Sequence, residues 1–416
     1  MSELKQEDTT VETKPETRRE ETMDTQAETA SNVSDTCASP FADWSDEELM
    51  TKAKEHYQKE QFLVAARMLK HTTHIADKDV PFQKEVEEKA KLLNHVIADL
   101  LADVEEHVGD DSEPASGAGQ WIKGGEYHDD RRDTLMYYRL EEDLQLKCRL
   151  ESPVESSLLV PLLAVLIETE QYMSWLPSWT VPRIGVELVD KLGQVGRTEQ
   201  ILRIATAVPW PFKSRDVVIR TCGVDDIDDI QEDPHTTGSI AISLVSLEEG
   251  QDVHKSTISN PVYDQDVVHV PPIPDGMERA EFDGGLLIRK CPPNHPCLRN
   301  SRVAYPPDEH LMLVGFSLSL DGKISPLFPT AVINFVIQTV ITQMWAKLLQ
   351  VAEEIRAGSR PQHAEVIAAR REEIYDWVEQ RIEGMFEHLA SSSSNKEGAE
   401  NNGNDKTTDD EKKEVE

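Results

Sequence analysis

Residues 311–355 read LMLVGFSLSLDGKISPLFPTAVINFVIQTVITQMWAKLLQVAEEI, and this stretch decides the fold. Residues 311–320 have the composition and pattern of a strand, Asp321-Gly322 turns the chain, and a helical period begins after Pro329. No charge occurs from 324 to 346, a length close to the roughly 20 apolar residues that cross a bilayer. The pattern is wrong for a span. Asn334, Gln338 and Thr342 recur every four residues with Thr339 and Gln343 beside them, opposite Val332, Ile333, Val336, Ile337, Val340, Ile341 and Met344. The spacing predicts a soluble helix over 329–355 with one polar stripe and a deep apolar face. Such a helix after a run of antiparallel strands is buried best in the concave face of their sheet, which makes the fold class α+β.

Working outward, strands are expected at 135–140, 144–150, 184–192, 201–208, 217–224, 239–247 and 285–289, besides 311–320. A helix over 155–172 begins through Ser152-Pro153, since the first turn of a helix tolerates proline. The run LLVPLLAVLI within it is too short to span a membrane. A last amphipathic helix, 364–389, carries Val366, Ile367, Ile374, Trp377, Val378, Ile382, Met385 and Phe386, and is expected outside this unit.

On the other side, Ser45 and Glu48 form a capping-box pair, and Leu49, Ala53 and Tyr57 share a face. A second helix runs over Phe62, Ala65, Ala66 and Leu69, and a third follows Pro81 with Val86, Leu93, Val96, Ile97 and Leu100. Residues 41–108 therefore form a helical extension, either packed on the next domain or acting as a peptide-binding hairpin or three-helix module. No second copy follows at a period of about 34 residues, so a repeat array is excluded. Residues 110–119, DDSEPASGAG, read as a linker, which starts the strand-rich domain at 112 and ends it at 358. Residues 1–40 and 391–416 are polar, acidic tails that bury too little apolar surface to offset the entropy of ordering.

The chain of 416 residues carries 43 basic against 78 acidic side chains, a formal charge of −35. That surplus excludes nucleic-acid phosphates as the main partner and opposes general adsorption to anionic membranes. Five cysteines, an odd number, follow no disulfide spacing, and no apolar signal segment follows the initiator Met, so a reducing, cytoplasmic setting is expected.

Chemical motifs are sparse. Cys291-Pro-Pro-Asn-His-Pro-Cys297 offers two thiols and an imidazole, but structural zinc takes four ligands and no second pair is near; a proline-stiffened loop is expected. Asp225, Asp226, Asp228 and Asp229 lack the mid-loop glycine and closing glutamate of a calcium loop and read as a hydrated turn. His71 and His74 read as a solvated helix face. There is no phosphate loop, nucleophile elbow or His-Glu-x-x-His. His254, His269 and Glu187 are the titratable residues an enzyme reading would turn to first. No catalytic residue, metal ligand or cofactor is assigned.

Two stretches carry a family likeness. VPWPFKSRD at 208–216 and GFSLSLDGKISPLFPTAVINFV at 315–336 resemble signature regions of the steroidogenic acute regulatory protein-related lipid transfer (START) domain. Trp121, Trp175 and Asp283-Gly284-Gly285 fall in the matching order. The resemblance implies a helix-grip fold, a curved antiparallel sheet wrapped around the C-terminal helix over a tunnel for one lipid, and it implies a non-enzymatic protein. Trp175 is followed by Leu176 where the family often has Asp. The buried charge pair of sterol-binding members would fall on Leu202 and Thr221, with Arg220 one residue out of phase and so on the opposite strand face. A phospholipid or other acyl lipid is thus expected before a sterol.

With that likeness, the tunnel lining comprises Trp175, Leu202, Ile204, Val218, Val314 and Phe316 on one side. Val332, Ile333, Val336, Ile337, Val340 and Met344 on the helix form the other. The loop with Trp210, Pro211, Phe212, Arg215 and Asp216 is expected to form the gate, its prolines holding the aromatic rings for transient membrane contact rather than core packing. Arg215 and Asp216 are expected to hold this loop, since adjacent strand residues face opposite ways. Two function classes stay open: transfer of one lipid between membranes, and a lipid-sensing regulator that recruits a protein through its N-terminal helices.

Overall fold

Ser45 caps the first helix. Its hydroxyl accepts the Glu48 N–H at 3.3 Å, the Glu48 carboxylate accepts the Ser45 N–H at 2.9 Å, and helix α1 (Asp46–Gln58) follows. The chain reverses into α2 (Phe62–Lys70) through Glu60, which holds φ at 67°, a left-handed conformation unusual outside glycine. α3 (Val80–Leu101) carries Pro81 in its first turn, where no helical hydrogen bond is lost. The structure is a computed structural model. It describes residues 41, 43–102, 104, 120–128, 132–141, 145–180, 183–208, 210, 212–227, 238–255, 267–299, 310–320 and 336–401. The described residues from 43 onward belong to one unit; of residues 1–42 only Phe41 is described. The expected tail 1–40 and linker 110–119 lie outside the described residues.

Beyond α3 come β1 (Ile122–His128), β2 (Asp133–Leu140), β3 (Leu146–Glu155), α4 (Leu159–Ile167), β4 (Ser178–Thr180), β5 (Arg183–Gly196), β6 (Glu199–Ala207) and β7 (Ser214–Asp225). They are followed by β8 (Ile240–Ser246), β9 (Asp252–His254), β10 (Val267–His269), β11 (Met277–Arg279), β12 (Phe282–Lys290) and β13 (Leu311–Leu320). The C-terminal region is a wide helical turn over Val336–Ile341, α5 (Thr342–Arg356), α6 (Pro361–Ala369), a second wide turn over Arg371–Tyr375 and α7 (Asp376–Asn401).

One sheet has the order β1-β2-β3-β13-β12-β8-β7-β6-β5-β4, antiparallel throughout, with β11 joining β7 in parallel where the β8 ladder has ended. β9 and β10 pair separately. Register shifts along β5, at 186/188, 191/193 and 194/196, mark bulges. Bulges bend a strand and increase its twist, which curves this side of the sheet. The architecture is α+β of the helix-grip kind: curved sheet, C-terminal helices in its concave face, N-terminal helices outside.

α3 covers the convex face and comes very near it. A Cβ built on Gly285 would lie 2.5 Å from both methyl carbons of Val96, and one on Gly315 would lie 3.3 Å from Leu100. Glycine at these two positions sets the distance between helix and sheet. Arg149, also buried, donates to the carbonyls of Asp99, Leu100 and Ala102 at 2.8–3.0 Å, satisfying the open C-terminal end of α3.

Some sequence expectations are corrected. Ser152-Pro153 does not begin a helix: β3 continues to Glu155, and Pro153 faces Leu313. The β2 ladder stops at Leu135–Glu151, so the missing proline N–H removes no ladder bond. The 155–172 helix is three pieces, short 3₁₀ turns at Ser156–Leu158 and Thr169–Ser174 flanking α4. The C-terminal segment does not stand apart. Ile374, Tyr375, Val378, Ile382 and Met385 belong to the same buried cluster as Leu150, Val314 and Trp345. Nor does its helix stop at 390; once nucleated, it extends through polar residues to Asn401 at small cost per residue.

Candidate functional site

Strand alternation directs every second residue of the curved sheet to its concave face. Leu150, Phe316, Leu286, Ile242 and Gly223 are successive register partners on β3, β13, β12, β8 and β7. All five line one cavity of about 380 Å³, within the usual ligand-pocket range of about 300–1,000 Å³. Gln200, Leu202 and Ile204 on β6 extend the wall, with Ile219 and Thr221 opposite them on β7.

Helices close the other side. Leu163, Leu166 and Ile167 of α4 and the rings of Tyr172 and Trp175 form one boundary, Met344, Trp345 and Leu348 of α5 a second, and Ile374, Trp377, Val378 and Ile382 a third. Tyr172 donates to the Leu166 carbonyl at 2.8 Å and packs edge-on against Trp175, centroids 5.4 Å apart. Burial of the Tyr172 phenol pushes its pKa up, so it stays a neutral donor.

Ion pairs pin these helices around the cavity. Arg132 reaches Glu155 on the sheet at 2.7 Å and Glu353 on α5 at 3.2 Å. Arg370 reaches Glu168 at 2.9 Å, and the Tyr375 hydroxyl donates to the same carboxylate at 2.6 Å. On α7, Nε of Arg381 donates to Asp225 at 2.8 Å. Arg370 lies above its usual pKa: burial pulls it down, but Glu373 and Glu168 outweigh that.

The sequence-derived residues distribute as follows. Trp175, Leu202, Ile204, Phe316 and Met344 line the cavity. Val314 and Val340 are buried but are not in the lining. Val218 is on the other face, clustered with Val195, Ile201 and Leu247. The register explains this: Leu202 pairs with Ile219, while Val218 pairs with the outward Arg203. Val332 and Ile333 lie outside the described residues, as do the side chains of Val336 and Ile337.

At the loop, Trp210 is 91% exposed and Phe212 half-buried; neither lines the cavity, and Pro211 lies outside the described residues. Asp216 is fully buried, its two oxygens held at 2.8 Å by Arg203 of β6 and Arg279 of β11. Arg215 and Lys213 share Glu278, the latter at 3.1 Å. These residues fasten three strands beneath the loop. Thr221 and Leu202, the positions matched to the sterol-family charge pair, both line the cavity without a charge. Arg220 turns outward to Glu199.

The other candidates lie elsewhere. His269 pairs with Asp252 at 2.6 Å on the separate two-stranded ribbon that also holds His254, and Glu187 pairs with Arg183 on exposed β5. Cys291 and Cys297 are buried free thiols in a cluster with Leu135, Tyr137 and Leu313; burial pushes the Cys291 pKa up to about 12. Asp228 and Asp229 are outside the described residues. Among the described residues, no group of three or more His, Cys, Asp or Glu side chains is placed to hold a metal ion. No described helix is long and apolar enough to cross a membrane.

Sequence reading missed Ile219, Ile242, Leu244 and Leu286 on the sheet, because alternation offers two faces and only register chooses between them. It also missed the wall formed by the turn 371–375 and α7. The signal there was the unpartnered apolar stripe of Ile374, Val378 and Ile382.

No protein-family model matches the chain, and no curated protein matches it. Among solved structures, 35 chains match. The chain is similar to human STARD10 (14% identity, 75% of this chain and 90% of that one covered, TM-score 0.39). It is also similar to human StAR-related lipid transfer protein 5 (15% identity, 65% and 98% covered, TM-score 0.38). A third is a STAR-related lipid transfer protein fragment from Xanthomonas axonopodis (15% identity, 55% and 98% covered, TM-score 0.33). The family that residues 208–216 and 315–336 resemble is the family of these structures.

Proposed function

We propose that this chain binds one lipid in the cavity between sheet and helices and carries it between membranes without chemical change. The observation that carries the reading is the cavity itself: about 380 Å³ walled by aliphatic and aromatic side chains from six strands and the C-terminal helices. Burying apolar ligand surface against such walls contributes roughly 25 cal/mol per Å² before the costs of association are subtracted. Loading requires an opening. The exposed Trp210 beside Phe212 is suited to the headgroup boundary of a bilayer, where tryptophan is enriched.

A filled cavity tests this. Leu202→Trp projects an indole into the space, so lipid bound at unit stoichiometry in native mass spectra of the wild-type chain should disappear while the fold persists. Equal lipid content in wild type and variant places the lipid elsewhere and ends this reading.

A further inference from the structure

The charged side chains of the cavity are gathered at one end of it. Among the described residues of the lining they are Arg197 in the β5–β6 turn, Asp225 at the end of β7 and Arg381 of α7. The Gly223 N–H donates to the Thr198 carbonyl at 3.0 Å, which holds that turn against β7. The register carries Ile204, Phe282 and Leu318, whose side chains are hydrocarbon throughout, to the opposite end. Residues 324–346, which lead into α5, hold no charge either.

At the polar end the charges are already matched inside the protein. Two guanidinium nitrogens of Arg381 donate to the two oxygens of Asp225, Nε at 2.8 Å, which makes the pair bidentate. Arg197 stacks its guanidinium on Trp377 of α7, Cζ 5.3 Å from the ring centroid. Its backbone N–H donates to Glu60 at 3.1 Å, so that carboxylate stands beside its charge. Uncharged polar groups are engaged in the same way. The Thr221 hydroxyl donates to the Gln200 carbonyl at 3.4 Å and Nε2 of Gln200 to the Ile167 carbonyl at 3.2 Å, as Tyr172 does to Leu166.

An ionised head entering this space gives up its hydration and meets, among the described residues, no counter-charge that is not already matched. Breaking the Arg381–Asp225 pair to supply one leaves the other partner buried and alone, so the exchange gains nothing. A hydroxyl, ester or amide loses far less on leaving water than a carboxylate or phosphate does. Selectivity in the cavity therefore works against charge.

We infer that the cavity takes a lipid whose head carries no ionic charge, with hydroxyl, ester or amide groups at most, and rejects anionic and zwitterionic heads. This rests on the cavity being a lipid site. It moves the expected acyl lipid from phospholipids to neutral ones such as acylglycerols and long-chain alcohols.

The test pairs lipids that differ only at the head: oleyl alcohol against oleyl sulfate, and dioleoylglycerol against dioleoylphosphatidate. Each is offered to the full chain, freed of lipid, as a radiolabelled trace in dioleoylphosphatidylcholine vesicles, and protein-bound lipid is counted once the vesicles are removed. At least one uncharged lipid should be bound, and at least tenfold more than its charged partner, equivalent to about 1.4 kcal/mol. Carrier phosphatidylcholine should not be retained. Thr221→Arg places a new cation in the lining and should close or reverse the ratio. Within a pair that binds, equal or preferred binding of the charged member overturns the inference, whether or not Thr221→Arg folds, and so does unit binding of the carrier. An unchanged ratio in a folded Thr221→Arg protein puts the head outside the cavity and overturns it as well. If neither a labelled lipid nor the carrier is bound, the lipid site itself is overturned.

Discussion

Lys89 of α3 places its Nζ 2.9 Å from Oε2 of Glu199 at the start of β6, and both side chains are buried. Tyr57 of α1 touches the same ammonium at 2.6 Å, and Arg220 of β7 reaches Glu199 from the other side. The N-terminal helices are thus tied by charge, as well as by apolar packing, to the strands whose other face lines the cavity. Burial would raise the Glu199 carboxyl, but Lys89 and Arg220 hold it below its usual range. Burial would lower Lys89, but Glu199 and Tyr57 hold it above.

Removing one partner of such a cluster leaves buried charge behind. Glu199→Gln strands Arg220 and leaves Lys89 only Glu85, at 3.6 Å, and should cost about 3–5 kcal/mol in urea unfolding. Because the folded pKa of Glu199 is depressed, its contribution is complete above the unfolded carboxylate value of 4.5 and is lost as pH falls through the folded value. Lys89 has the opposite sign: its contribution is complete below 10.5 and is lost as pH rises through the higher folded value. Stability attributable to the pair should be flat between those limits. A Glu199→Gln deficit that shrinks steadily between pH 6 and 9 would contradict the assignment.

Gly285→Ala should destabilise by about 1–3 kcal/mol, the usual cost of overpacking. The new Cβ meets Val96 of α3 at 2.5 Å and the Ile242 carbonyl at 2.8 Å. Since the carbonyl cannot move independently, Val96→Ala in the same chain should restore only part of the loss. Thermal unfolding of the two single variants and the double variant measures this, and additive losses would show that Val96 does not set the spacing.

Arg381→Gln leaves the buried Asp225 without its α7 partner. Amide exchange in α7 should speed up by tenfold or more, with the sheet unaffected, because the helix can lift without breaking a strand ladder. Unchanged exchange would mean that Ile374, Val378 and Ile382 hold the helix unaided.

Trp210→Ala should alter stability by less than about 0.5 kcal/mol, as expected for an exposed side chain. Lipid binding measured in solution should be retained, while transfer between vesicles falls by about tenfold. If transfer is unaffected, membrane contact lies elsewhere.

Much of this architecture was legible in local sequence. The polar stripe of Gln338 and Thr342 beside Val340 and Met344 ruled out a membrane span, and Ser45 with Glu48 marked the first helix, because helix period and capping depend on residues within one or two turns. The resemblance in 208–216 and 315–336 named the helix-grip fold for the same reason: such motifs are contiguous. What only the tertiary structure decided is which strand face looks inward. Val218 and Ile219 are equally apolar, and the pairing of Ile219 with Leu202 chooses between them. Likewise, Arg197 and Trp377 are 180 positions apart, and no local pattern joins them. They meet because the curved sheet leaves a gap that α7 fills, and burying its apolar stripe there lowers the free energy more than leaving it in water.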